Sequence, residues 1–343
     1  MLRLSVLDQS PISSGASAFD AVRQTESLAR RAEALGYYRY WVAEHHNTAG
    51  LAGSTPEVMV AHVAAITSRI RVGSAGVMLN HYSPLKVAEN FRMLETLHPG
   101  RIDLGIGRAP GSDQETASVI RYGAAIPIER FPNQLSDLAG FLLGQWPEGH
   151  PFAHIRAMPE GPSHPDLWLL GSSDQSAAYA AYFGFNFSFA QFIAGESGAA
   201  VVQAYRDNFR PSAFAPGPKA NMAISVVVAD SEAAAKRLAK SRELWLLQAA
   251  TGQRGTFPSP EEAEAYPYSE RERAFIHANR NRSVVGDPEQ VKARLLTLAT
   301  EYGVDEIVAV TICHDYAARL RSYELLAEVF GLARAPEPAA TVP

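Results

Sequence analysis

Cysteine occurs once in this chain, at Cys313, so no intrachain disulfide can form. No apolar run approaches the roughly eighteen residues of a membrane span. Charge of neither sign dominates: the net charge is −5 and the pI about 6.1. Such a balance lacks the footprint of a nucleic-acid-binding or membrane-surface protein, so neither partner is expected. The opening stretch MLRLSVLDQSPISSG carries Asp8 early and lacks the long apolar segment of a signal peptide, so a cytoplasmic location is expected. Also missing is a GxGxxG turn behind the first apolar run, where Leu7-Asp8-Gln9-Ser10 stands instead. That argues against a doubly wound dinucleotide-binding sheet. What remains is an ordinary globular composition over 343 residues, 47% apolar and 20% charged, with enough apolar material for a large core.

Short apolar runs recur along the chain with helical patterns between them. Strands are expected at 2–7, 38–43, 70–77, 101–105, 166–170, 186–190, 220–229 and 304–312. Helices are expected at 19–35, 84–97, 132–143, 174–183, 197–209, 232–250 and 316–330, with others starting at Pro56 and Pro288. The strands are short and often unalternating, as strands buried on both faces are. Eight β–α alternations indicate an α/β fold, a (β/α)₈ TIM barrel. One domain is expected over 1–332, with insertions at about 106–131 and 251–281, after the fourth and seventh strands. A disordered tail is expected at 333–343.

In such a barrel the chemistry sits at the C-terminal ends of the strands. The second strand ends in Glu44-His45-His46, and the first in Asp8. Adjacent strand residues face opposite ways, so one strand does not readily give both imidazoles to one ion. A single imidazole acting as acid or base is the simpler reading. A metal-dependent hydrolase using His45 or His46 with Asp8 is the rival. Cys313 reads as a small buried residue. Gly73-Ser74-Ala75-Gly76 leaves the third strand end almost bare, which suits a flat ligand lying on backbone. Gly105-Ile106-Gly107-Arg108 adds a cation one strand on. Gly171-Ser172-Ser173-Asp174-Gln175-Ser176 opens a helix whose free N–H groups and dipole favour an anion. Alone, Ser173 fits a simple N-cap. Together with Arg108 it points to a phosphate.

The segments AEHH, VGSAGVML, PGRIDLGIGRAPGSD and LLGSSDQSAAYAA, with the C-terminal VVGDPEQVKARL and YGVDEIVAVTICHDYAARLRSYELLAE, resemble the bacterial luciferase-like monooxygenase family. The resemblance runs through most of the chain and is similar to the subgroup of luciferase family oxidoreductases. It implies a (β/α)₈ barrel and a flavin-dependent monooxygenase, in which reduced FMN from a separate flavin reductase and O₂ form a flavin hydroperoxide that oxygenates a small organic substrate. His45 matches the histidine beside the flavin. Ala75-Gly76 matches a pair joined by a cis peptide behind the ring. Arg108, Ser173 and Ser176 match phosphate-binding positions, with Gly171 and Ser172 in the same turn. The loop 110–131 and the insertion 251–281 are expected to wall and cover the site, and the family implies a homodimer. Residues 251–281 depart from the lid of the luciferases proper, so aldehyde luminescence is not implied. Phe189-Ala190-Gln191-Phe192 departs from the histidines of many subgroup members. A flavin-binding protein without catalysis and a deazaflavin-dependent oxidoreductase are the alternatives on this scaffold.

Overall fold

The structure, a computed structural model, describes residues 2–123, 127–194, 198–253 and 255–333, with Ile128 by its backbone alone. The tail expected from 333 onward lies, beyond Ala333, outside the described residues, and so does the start of the helix expected at 197. Ten strands are present among the described residues: β1 (Arg3–Asp8), β2 (Arg39–Val42), β3 (Arg71–Ser74), β4 (Val77–Met78), β5 (Ile102–Gly107), β6 (Asp166–Gly171), β7 (Asn186–Ala190), β8 (Ala220–Val228), β9 (Ser283–Gly286) and β10 (Glu306–Val310). All pairings between them are parallel. β1 joins β2 and β10, and β10 joins β8, which closes the ring. β3 and β4 are two pieces of one barrel strand, both paired with β5. The result is the eight-stranded α/β barrel expected.

Two details differ from the sequence reading. β5 extends to Gly107, so the first insertion begins after it rather than at 106. β9 is an extra strand beside the upper half of β8, from Ser225 to Val228. Its four residues lie at the end of a polar stretch and give too short an apolar run to stand out.

The helices form where their caps and stripes dictate. Ala18–Leu35 starts at a Ser17–Asp20 capping box and buries Ala21, Thr25, Leu28, Ala29, Ala32 and Leu35 at helical spacing. The helices and the outward residues of the strands share one large apolar core. Inside the barrel a smaller cluster forms around Leu7, Trp41, Trp168, Val308 and Val310. Below it the interior turns polar. Arg39 is 0% exposed and is held between Asp103 and Glu306. This layer is the floor of the barrel, and the mouth lies at the opposite end of the strands.

Candidate active site

The C-terminal ends of the strands open onto a cleft of about 320 Å³. Gln9 behind β1, His45 and His46 behind β2, Phe192 behind β7 and Ile312 behind β10 line it. The helix Glu232–Ala250 adds Arg242, Trp245 and Leu246. Among the described residues the insertions contribute Gly111 and Ser112 from the first and Gln253 from the second. The second insertion also sends Phe257 beneath Trp245, ring on ring at 4.4 Å between centroids.

His45 faces this cleft. Its backbone N–H donates to the Gly53 carbonyl at 2.7 Å, which ties the loop down. Its Nδ1 is buried with no hydrogen-bond partner. Burial, with the neighbouring His46, lowers its pKa to about 4, so the ring is neutral at pH 7. His46 has another task. Its Nε2 bonds Glu44 Oε1 at 2.8 Å. Glu44 is 0% exposed and also accepts from the Tyr82 hydroxyl at 2.7 Å and the Met78 N–H at 2.9 Å. The Glu44 carboxylate is therefore an anchor joining the end of β2 to β4.

Asp8, expected among the mouth groups, is turned against the helix Tyr316–Phe330 instead. Arg319 Nη2 donates to its Oδ1 at 2.7 Å, the Ser10 N–H does so at 2.7 Å, and Tyr40 donates its hydroxyl to Oδ2 at 2.5 Å. With Asp8 engaged, the hydrolase reading loses its acid. Among the described residues no group of three His, Cys, Asp or Glu side chains is placed to hold a metal. Burial pushes the Cys313 thiol up to about 12, so it is a protonated packing residue at neutral pH.

The third barrel strand is interrupted at Ala75-Gly76, joined by a cis peptide bond. Gly76 is required by space, because a Cβ there would lie 2.7 Å from the Gly105 carbonyl oxygen and from Leu170 Cδ1. Ala75 stays partly exposed above the inner apolar cluster.

Arg108 follows β5. Asn80 Nδ2 donates to its carbonyl at 2.8 Å, and its guanidinium donates to Gln175 Oε1 in the first turn of the helix Asp174–Phe183. The cation and the helix start that the sequence pairs are therefore neighbours. Ser173 caps this helix, accepting from the Ser176 N–H at 3.5 Å, and the Ser173 and Ser176 hydroxyl oxygens lie 3.3 Å apart. Ser172 is exposed. A Cβ on Gly171 would meet Ser176 Cβ and Oγ at 2.3 Å, so only glycine lets the helix start close over the strand end. Free N–H groups, two hydroxyls and a guanidinium make this corner suited to an anion.

The sequence reading misses Arg242, Trp245 and Arg282, which also line the cleft. Arg242 and Trp245 are interior positions of an ordinary helix, and no local motif marks them.

This geometry has relatives. The uncharacterised protein YwcH of Bacillus subtilis (strain 168) is 47% identical over 96% of this chain and 99% of its own length. The N-acetyl-S-alkylcysteine monooxygenase of the same organism is 38% identical over 96% of this chain and 98% of its own length. The crystal structure of apo-MsnO8 superposes with a TM-score of 0.91 at 36% identity, covering 98% of this chain and 100% of that one. The profile described as luciferase-like monooxygenase matches residues 2–306. Matched over nearly its whole length, this closed parallel barrel belongs to the luciferase-like monooxygenase family, and the chain is an oxidoreductase that incorporates molecular oxygen.

Proposed function

We propose that the cleft oxygenates a small organic substrate with reduced FMN and O₂, the FMN arriving reduced from a separate flavin reductase. The observation that carries this reading is the meeting of Arg108 with the helix start at Ser173, at the same C-terminal end of the barrel strands as the Ala75-Gly76 cis peptide and His45. These groups fit a flavin mononucleotide. Arg108, Ser173, Ser176 and the N–H groups behind Gly171 and Ser172 would hold the phosphate. Ala75, partly exposed at the interrupted third strand, would support the ring with the Ala75-Gly76 peptide. When bound, reduced FMN supplies the electrons that activate O₂. The chain's own share is positioning, water exclusion and proton handling. Trp245, Leu246 and Ile193 present apolar surface to the cleft and limit water. His45, neutral with a buried unpartnered Nδ1, is placed to accept a proton within the cleft. The assembly we propose is a cytoplasmic homodimer, which light scattering on the purified protein tests.

The test of the phosphate corner is an anaerobic titration with reduced FMN, reduced riboflavin and a reduced deazaflavin. FMN is expected to bind at least tenfold more tightly than riboflavin, because only FMN carries the phosphate. Arg108→Gln is expected to bring FMN down toward the riboflavin value, a loss of about 1.5–3 kcal/mol for a charge-assisted contact. Equal affinity for FMN and riboflavin in the wild type would overturn the assignment of this corner, and preference for the deazaflavin would overturn the choice of cofactor.

A further inference from the structure

Arg242 is 8% exposed, yet among the described residues it has no carboxylate partner. Nη1 donates to Ser283 Oγ at 3.0 Å and Nη2 to the Phe192 carbonyl at 3.4 Å. A guanidinium carries five N–H donors, so three have no acceptor among the described residues. Its strongest charged neighbour is a second cation, Arg282, which donates through Nε to the Ala194 carbonyl at 3.2 Å. Burial and Arg282 together lower Arg242 to about 10. Glu243, next in the chain, attracts it less than Arg282 repels it, and lines a second cavity that Arg242 also borders.

A buried charge is costly unless it is paired. Two other buried arginines of this chain obey that rule. Arg39 holds Asp103 and Glu306, and Arg319 holds Asp8. Arg92, equally buried, donates to the Leu142 carbonyl at a helix end and to the Pro159 carbonyl. Arg242 differs because it opens onto the cleft that His45 lines, with Arg282 beside it. The same cleft offers apolar surface from Trp245, Leu246, Phe192 and Ile312. Arg108, Ser173 and Ser176 are not among its lining residues, so a phosphate held by them does not use this pair of cations.

We propose that Arg242 and Arg282 bind a carboxylate of the organic substrate, which makes the substrate class a small acid with an apolar body. The inference deepens the oxygenation reading and rests on it for the role of the cleft. The planar fork of Arg242 matches the two oxygens of a carboxylate. The apolar wall takes the remainder of the molecule and keeps it at the mouth with His45. A cleft of about 320 Å³ suits a small acid rather than a polymer end.

Isothermal titration of the purified protein, flavin-free and FMN-saturated, with octanoate, octanamide and octane-1-sulfonate tests this. Octanoate is expected to bind at least tenfold more tightly than octanamide. Arg242→Gln is expected to abolish that preference. Arg282→Gln, at a more exposed position, is expected to weaken octanoate several-fold and keeps the test intact if the first variant does not fold. No octanoate binding, equal affinity for acid and amide, or a preference retained in both variants would overturn the proposal. A sulfonate that binds as tightly as octanoate would overturn the assignment to a carboxylate. The FMN titration of the same samples separates the two readings. Intact FMN binding without acid preference removes this inference alone, and acid preference without FMN binding removes the cofactor reading.

Discussion

Exchange of His45 for alanine is expected to cut oxygenated product per turnover by about 10²–10⁴, the range for loss of a positioned acid–base group, with FMN affinity left essentially unchanged. The separation follows from the layout. The phosphate corner is built by Arg108 and the Ser173 turn, and His45 belongs to the loop behind β2 on another part of the rim. The pH dependence carries the same signature. Burial and His46 place the His45 pKa at about 4, against a reference of 6.5. A neutral imidazole accepts a proton and a protonated one does not, so the acid limb of the flavin-free enzyme's kcat/KM profile is expected near 4 rather than near 6.5. Stability follows the same group. Between pH 6.5 and 4 the unfolded chain binds a proton that the folded chain does not, so stability falls as pH drops through that window. The full shift corresponds to about 3 kcal/mol at most. Urea midpoints at pH 7 and pH 4.5 are expected to differ less in His45→Gln than in the wild type. An acid limb at 6.5, or identical pH dependence in both proteins, would remove His45 from the proton-handling role.

Much of this was legible because a barrel strand buried on both faces leaves a short apolar run, and many of the helices start at a capping side chain or a proline. Pro84–Leu97, Asp174–Phe183, Glu232–Ala250 and Tyr316–Phe330 all lie within the spans their caps and stripes indicate. Where pairing partners are distant, the sequence is silent. Asp8 reads as a mouth group because it ends a strand, and its partner Arg319 comes from the last helix. Glu44 reads as chemistry until Tyr82 and the Met78 N–H take its oxygens. Within 251–281 the helices Pro260–Ala265 and Glu270–Ala278 carry a usable signal, the capping boxes Ser259–Glu262 and Ser269–Glu272, which the polar composition obscures. The lack of a carboxylate partner for Arg242 among the described residues has no sequence signature at all, since it depends on what fails to approach in three dimensions.

The floor of the barrel supplies the second large effect. Arg39→Met is expected to destabilise the protein by about 3–5 kcal/mol, the cost of breaking a buried ion pair from one side. Arg39 Nε and Nη2 grip Glu306 at 2.6 and 3.1 Å, and Nη1 reaches Asp103 at 2.7 Å. These residues stand on β2, β10 and β5, so one side chain ties three strands of the ring. Its guanidinium also lies 4.7 Å from the Trp168 ring on β6. Methionine would fill the space and supply none of these bonds. Glu306 would keep only Ser5 Oγ at 2.7 Å and Asn221 Nδ2 at 3.4 Å. Burial alone pushes the Asp103 carboxyl up, and Arg39 with Arg71 overrides that and holds it below its ordinary value. Asp103 therefore contributes stability at neutral pH that is lost as pH falls through its titration, and Arg39→Met is expected to reduce this contribution. Adding Glu306→Leu tests whether the damage is an orphaned charge, because the second exchange removes the carboxylate that the first leaves unpaired. The double variant is then expected to be less destabilised than the sum of the two singles, by 0.5 kcal/mol or more in a urea unfolding cycle, about the coupling seen between touching residues. Strict additivity, or a single-variant loss near 1 kcal/mol, would mean that the aromatic and apolar packing above the network, and not the ion pairs, holds the base of the barrel together.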